Sequence, residues 1–421
     1  MQHGVITKRV WGAALSLGLV AVAITLFSVK GKSSAEVGGL IASPMVINKE
    51  MIAAQLGMAI RGNLFPQVLD LSVDGGVKKT QVHYSLHEES QSQMQRLMGL
   101  YRPDYGAFVA IDARSGRILS LVSYSREKHV ENLALQATFP AASIFKVVTA
   151  SAALDLNKAN PSTIVPFNGA YHTLYKKNVV DNRENRWTRY ITMREAFARS
   201  VNTFFSKLGL FYVGPTNLLQ YAERYNFNHP IRADVPVQTG YARIATDDPW
   251  SVATAASGFT RDNTMSPIQG ALIAAAVAND GVMMEPYIVE SLLDQATGQS
   301  VYQVQPAQAS VVVDKLAAEK LRELFNETVR SGTSRKSFRK TVRRSSWDDV
   351  EFGGKTGSLT GLNPAGKCDW FVGYARYRDQ RIAVAALTVN EKKWRVKSSL
   401  LANEFLTTYM KRIKSSDIAK Q

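Results

Sequence analysis

The chain has 421 residues, of which 45% are hydrophobic, so a sizeable buried core is available, and no internal repeat or low-complexity block interrupts it. A single cysteine, Cys368, excludes an internal disulfide and reads as an inert packing residue; the six histidines show no metal-ligand spacing, which argues against a metal site. The formal net charge of +16 would suggest nucleic acid in a cytosolic protein, but the amino terminus points elsewhere.

Lys8-Arg9 precede residues 10–29, 20 residues without a charge that end at Lys30 and Lys32. That length spans a bilayer, and basic residues before it place the amino terminus in the cytoplasm and the rest outside. The stretch is expected to be an uncleaved signal anchor, with Ser33-Ser34-Ala35 as the competing cleavage site. With residues 1–30 as cytoplasmic stub and anchor, the positive charge faces anionic head groups and wall polymers, and nucleic acid is not an expected partner.

Residues 31–100 read as a mixed connector, with Gly38-Gly39 and Gly75-Gly76 as breakers and a polar helical stretch over 87–100. The short β-type runs 107–111 and 118–122, joined through Arg114-Ser115-Gly116, predict a hairpin. A buried helix follows Ser143. The segment to about residue 330 is mostly helical in pattern, with a capping box at Thr192–Glu195 and a helix over 269–278 closed by Asn279-Asp280-Gly281. A polybasic run, Arg335 to Lys340, reads as a solvated loop, against a contact for membrane or substrate phosphate. Strands return over 370–375 and 382–389, a helix over about 398–412 closes the domain, and 413–421 is expected to be a loose tail. Strands at both ends with helices between them predict an α+β fold: a sheet of paired terminal strands, a second lobe formed by the helical insertion, and a membrane-spanning helix ahead of both.

Three short motifs predict a reaction. They are Ser143-Ile144-Phe145-Lys146, Ser200-Val201-Asn202 and Lys355-Thr356-Gly357. Ser-x-x-Lys also occurs at Ser125 and Ser337, but in charged surroundings that read as solvated surface; Ser143 alone has apolar flanks. A serine hydroxyl needs a neighbouring base to be nucleophilic at neutral pH, and on a helix Ser143 and Lys146 share one face. Lys146 acts as that base only when neutral, which requires burial and a nearby cation, for which Lys355 is the candidate.

The set resembles that of penicillin-binding proteins, over roughly residues 80–412, with domain limits taken as 101–412. The hairpin 106–119, Ser266-Pro267-Ile268-Gln269, residues 278–283 and Asp369-Trp370-Phe371-Val372-Gly373-Tyr374 are similar to further blocks of that family. The resemblance implies an antiparallel sheet flanked by helices with an inserted all-helical subdomain. It implies a peptidoglycan D,D-transpeptidase that cross-links stem peptides through a serine acyl-enzyme and is inhibited by β-lactams, with no cofactor. By the same resemblance Ser200 passes protons to and from the leaving and entering amines, Asn202 bonds the substrate amide, and Lys355 and Thr356 hold the terminal carboxylate. The oxyanion hole falls at the N–H groups of Ser143 and Ser358, and Gly357 lets the substrate backbone approach the strand.

About fifty residues separate the predicted anchor from the domain, which implies a minimal transpeptidase working with a separate glycosyltransferase. Hydrolysis by the same constellation, in a D,D-carboxypeptidase or β-lactamase, is one alternative. Ser-Val-Asn argues against class A enzymes, and Asn202 against class D. A β-lactam sensor is another, although only about nine residues precede the predicted span.

Overall fold

A computed structural model describes residues 47–73, 76–126, 130–180 and 183–419. The predicted anchor, the Ser33-Ser34-Ala35 site, Gly38-Gly39 and Lys128 lie outside the described residues. Among the described residues no helix is long and apolar enough to cross a membrane.

Five antiparallel strands form the central sheet in the order Glu351–Leu362, Ala365–Tyr377, Gln380–Asn390, Tyr105–Asp112, Ile118–Ser125. The last two are the hairpin read from the sequence. Both faces of this sheet are buried, which explains why its strands carry continuous apolar runs instead of alternation. Ala107, Val109 and Ile111 join the core on one side, and Phe108 and Ala110 the core on the other. On the first side lies Pro267–Ala278, a helix buried all round, as its apolar sequence requires. Ser266 caps it by accepting from the Gln269 N–H. On the second side Leu401, Phe405 and Met410 of the long helix Ser398–Ala419 meet Phe108, Met94 and Met98. This helix corrects the expected loose tail. It continues past Arg412 because Ile413 still packs on the core, Lys414 pairs with Asp349, and Asp417 pairs with Arg378.

The expected connector is also folded where it is described. Lys49–Arg61 is a helix whose Ile52, Leu56 and Ile60 are buried, and Val68–Val73 and Gly76–Tyr84 form a second antiparallel sheet with Val289–Asp294 and Ser300–Gln303. Its polar sequence masked this, because only Leu69, Leu71, Thr80 and Val82 of the two strands face inward. The fully buried Asp234 ties the second sheet to the loop before it: its carboxylate accepts from the Ile288 N–H at 2.9 Å and the Val289 N–H at 2.7 Å. Burial pushes this carboxyl up to about 6, against the pull of those N–H groups.

Replacing Asp234 by Ala leaves two buried N–H groups without that acceptor, at a cost of about 1–3 kcal/mol each. Denaturant unfolding is expected to show a loss of about 2–5 kcal/mol, with Asp234→Asn, which keeps one carbonyl oxygen, losing less.

Candidate active site

The nucleophile turn is held from both sides. Before it, Phe139–Pro140 pairs with Thr264–Met265, the Ala141 N–H donates to the Asn263 carbonyl, and the Trp370 indole N–H donates to the Pro140 carbonyl at 2.9 Å. After it, Lys146–Asp155 is a helix with a buried Val147, Val148 and Ala150. Ser143 itself lies in the 3₁₀ turn Ala142–Phe145. Residues three apart eclipse in such a turn, so Lys146 comes to lie beside the Ser143 hydroxyl. The Nζ to Oγ distance is 2.8 Å.

Lys146 is fully buried, and its Nζ has two further oxygen partners, Asn202 Oδ1 at 2.7 Å and the Ser257 carbonyl. Those two oxygens only accept. A neutral amine has two N–H bonds and one lone pair, so both N–H groups are used and the lone pair faces the Ser143 hydroxyl. Burial, and after it the Lys355 charge, hold Lys146 well below the ordinary lysine range. Both influences favour the neutral form that a base at this position requires.

Ser200 and Asn202 come from the junction of two short helices. Thr192 caps Met193–Ala198 by accepting from the Glu195 N–H, as the capping box predicts; the chain then turns at Ser200, whose φ is 57°, and re-enters a helix at Asn202–Lys207. That left-handed turn presents Ser200 to the cleft. Its Oγ accepts from Lys355 Nζ at 2.9 Å, and Lys355 also donates to the Thr356 carbonyl at 2.9 Å. Lys355 is buried, which brings its ammonium down to about 7. Asn202 donates from Nδ2 to the His172 carbonyl at 2.8 Å, which leaves one N–H of that amide.

Lys355, Thr356, Gly357 and Ser358 lie on the edge strand Glu351–Leu362. A cleft of about 330 Å³ runs along it, lined by Ser143, Ser200, Asn202, Thr356, Gly357 and Ser358 among others. Of the candidate catalytic side chains, Ser143, Ser200 and Asn202 open onto this cleft, and the two buried lysines reach it through the Ser143 and Ser200 hydroxyls. Gly357 also has a role the sequence did not suggest: a Cβ there would stand 3.2 Å from the Ser143 and Ile144 nitrogens, so the glycine admits the nucleophile turn.

Ser125 ends the strand at the opposite edge of the sheet and takes no part in the site. Ser337, read as solvated surface, is half-buried in the cleft wall, where its Oγ lies 2.8 Å from Ser399 Oγ; the buried Phe338 holds the basic run against the core. Motif reasoning missed four further positions. Ser257 supplies a carbonyl to Lys146, and Gly258, at φ 66°, has no space for a Cβ, which would fall 1.8 Å from the Ala142 carbonyl oxygen. Thr333 bonds the Thr356 hydroxyl, and His172 lines the cleft. A backbone carbonyl leaves no side-chain signature, and the others lie far in sequence from the groups they touch.

The fold and these distances define a serine acyl-transfer enzyme. Residues 106–411 match the family described as penicillin binding protein transpeptidase domain, and the chain belongs to that family. It is similar to the peptidoglycan D,D-transpeptidase PbpA of Mycolicibacterium smegmatis, at 28% identity over 74% of this chain and 67% of that protein. Among solved structures it is similar to the D,D-transpeptidase domain of the peptidoglycan glycosyltransferase from Eggerthella lenta, with TM-score 0.65 and 25% identity over 79% of this chain and 83% of that one. PBPA from Mycobacterium tuberculosis is similar too, with TM-score 0.62 and 25% identity over 77% and 80%.

Lys146→Ala is expected to slow penicillin acylation by about 10²-fold or more, measured by adduct formation in stopped flow. Because Lys355 loses its charge above about pH 7, wild-type acylation should fall as pH rises through that value. That limb of the profile should disappear in Lys355→Ala.

Proposed function

We propose that the protein is a peptidoglycan D,D-transpeptidase. The observation that carries this reading is the buried Lys146 with its two N–H groups committed and its remaining valence on Ser143. Penicillin-type β-lactams and stem peptides ending in D-alanyl-D-alanine are the ligands. Ser143 Oγ attacks the penultimate carbonyl as Lys146 takes its proton, and the bond to the terminal D-alanine breaks. Ser200, bonded to Lys355, passes a proton to the leaving amine, while Lys355 and Thr356 hold the terminal carboxylate. The N–H groups of Ser143 and Ser358 receive the oxyanion, and the free N–H of Asn202 the substrate amide. An acceptor amine then takes the acyl group from Ser143.

Transfer is favoured over hydrolysis by what the cleft lacks among the described residues. Its one acidic lining residue, Asp369, is engaged: its carboxylate accepts from the Ser398 N–H at 2.9 Å and lies 3.8 Å from Lys397 Nζ. A free carboxylate for activating water is therefore missing there, and a long-lived adduct is expected. The segment 10–29 serves as a signal anchor in the same proposal, with the domain on the outer face of the membrane and a separate glycosyltransferase as partner. Its support is the charge-free length of that segment after Lys8-Arg9.

Mass spectrometry after penicillin treatment should place a persistent adduct on the peptide containing Ser143, and Ser143→Ala should abolish it. Rapid multiple-turnover hydrolysis of penicillin would show a β-lactamase instead. Release of D-alanine to water alone, with acceptor amines present, would show a carboxypeptidase. The full-length protein should stay in the membrane fraction after alkaline carbonate, and a soluble form beginning at Glu36 would place the cleavage after Ala35.

A further inference from the structure

The second half of a transpeptidation poses a problem that the three motifs leave open. An aliphatic amine is an ammonium at neutral pH, with an ordinary pKa of about 10, and has no lone pair with which to attack an ester. Lys146 lies behind Ser143, with its lone pair on that oxygen and both N–H groups used, Lys355 is committed to Ser200 and the Thr356 carbonyl, and Ser200 is a hydroxyl that relays protons without retaining them.

His172 lies where a base is needed. It lines the cleft with Ser143 and Ser200 and, unlike the lysines, is exposed there. Its own carbonyl holds Asn202 Nδ2 at 2.8 Å, so its backbone is fixed to the middle motif. The neighbouring Leu174 and Val179, both buried, anchor the segment that carries it. We propose that His172 takes the proton that an acceptor ammonium must lose before its nitrogen attacks the acyl-enzyme; this rests on the transpeptidase reading above.

The charges around the ring agree with this role. Burial and the Lys355 charge hold the imidazole below its ordinary range, and the Ser200 backbone pulls the other way. On its own segment the Tyr171 ring packs edge-on at 6.4 Å, with the Arg189 and Arg199 guanidiniums over that ring. The other charged groups of the cleft are Lys336, Lys397 and Asp369. Cations thus outnumber the single carboxylate, which favours the neutral imidazole.

The step balances without a co-reactant. The ammonium gives one proton to His172; the freed nitrogen forms a bond to the acyl carbon; the bond from that carbon to Ser143 Oγ breaks. The second proton of the attacking nitrogen restores the serine hydroxyl through Ser200 and Lys146, and His172 releases the first to solvent.

The test uses the full-length protein acylated from a D-alanyl thioester donor and offered two acceptors. D-Alanine is an ammonium at neutral pH, whereas hydroxylamine is already a free base. In His172→Gln, and in His172→Ala as a second variant, the rate of attack by D-alanine relative to hydroxylamine should fall roughly 10²-fold at pH 7, the scale for loss of a general base. Raising the pH towards 10 should bring variant and wild type together, and penicillin labelling reports that each variant is folded. Equal losses with both amines, or no loss with either, would overturn the role of His172. Failure of the wild type itself to transfer to any amine would overturn the transpeptidase reading, and this proposal with it.

Discussion

Two lysine side chains buried beside one catalytic cleft are the constraint on which the rest of the structure depends. Lys146 and Lys355 are both fully enclosed, and their recorded partners are hydroxyl, amide and backbone oxygens, with no carboxylate among them. Desolvation disfavours the charged form of each, and the Lys355 charge makes Lys146 harder to charge. The proposed reaction needs Lys146 neutral and Lys355 able to hold a carboxylate, and the asymmetry of their surroundings favours that difference. Stability bears the consequence: Lys355 titrates at about 7 in the folded chain and near 10.5 unfolded, so its penalty is full below pH 7 and is relieved as pH rises between those values.

Holding such groups requires a rigid frame, and backbone strain collects around it. Ala142, Ser200 and Gly258 have φ of 49°, 57° and 66°, all in the left-handed region. For the two non-glycine residues this conformation costs on the order of 1–3 kcal/mol each. Ala142 aims the nucleophile turn, Ser200 reverses the chain between two helices, and Gly258 ends the helix Pro249–Ser257 against the Ala142 carbonyl. The sheet provides the third wall. Because Glu351–Leu362 is an edge strand, its outer side is free to face the nucleophile turn and a peptide substrate, and its inner side is fixed by twelve residues of register to Ala365–Tyr377.

The elements around the sheet follow from the same need. Pro267–Ala278 is apolar on every side because it is packed between the sheet and the helical lobe. The closing helix covers the other face, and its first turn is tied to Asp369, the one carboxylate that lines the cleft among the described residues.

The sequence alone determined the pairing of Ser143 with Lys146, the other two motifs, the α+β class and the hairpin, because each rests on local spacing: a step of three from Ser143 to Lys146, continuous apolar runs in the sheet, a capping box at Thr192. It also predicted that Lys355 would lower Lys146, since two cations serving one reaction must lie close. Tertiary structure alone decided the rest. Ser257 acts through a carbonyl that every residue possesses, Gly357 and Gly258 are needed for approaches between segments distant in sequence, and Ser337 enters the cleft wall because Phe338 is drawn into the core. The polar segment 47–100 joined the folded unit, and the last helix ran on to Ala419, through contacts made with residues hundreds of positions away. Local pattern reports which face of an element is apolar; it carries no information about which distant surface will cover it, and the cleft is built from those pairings.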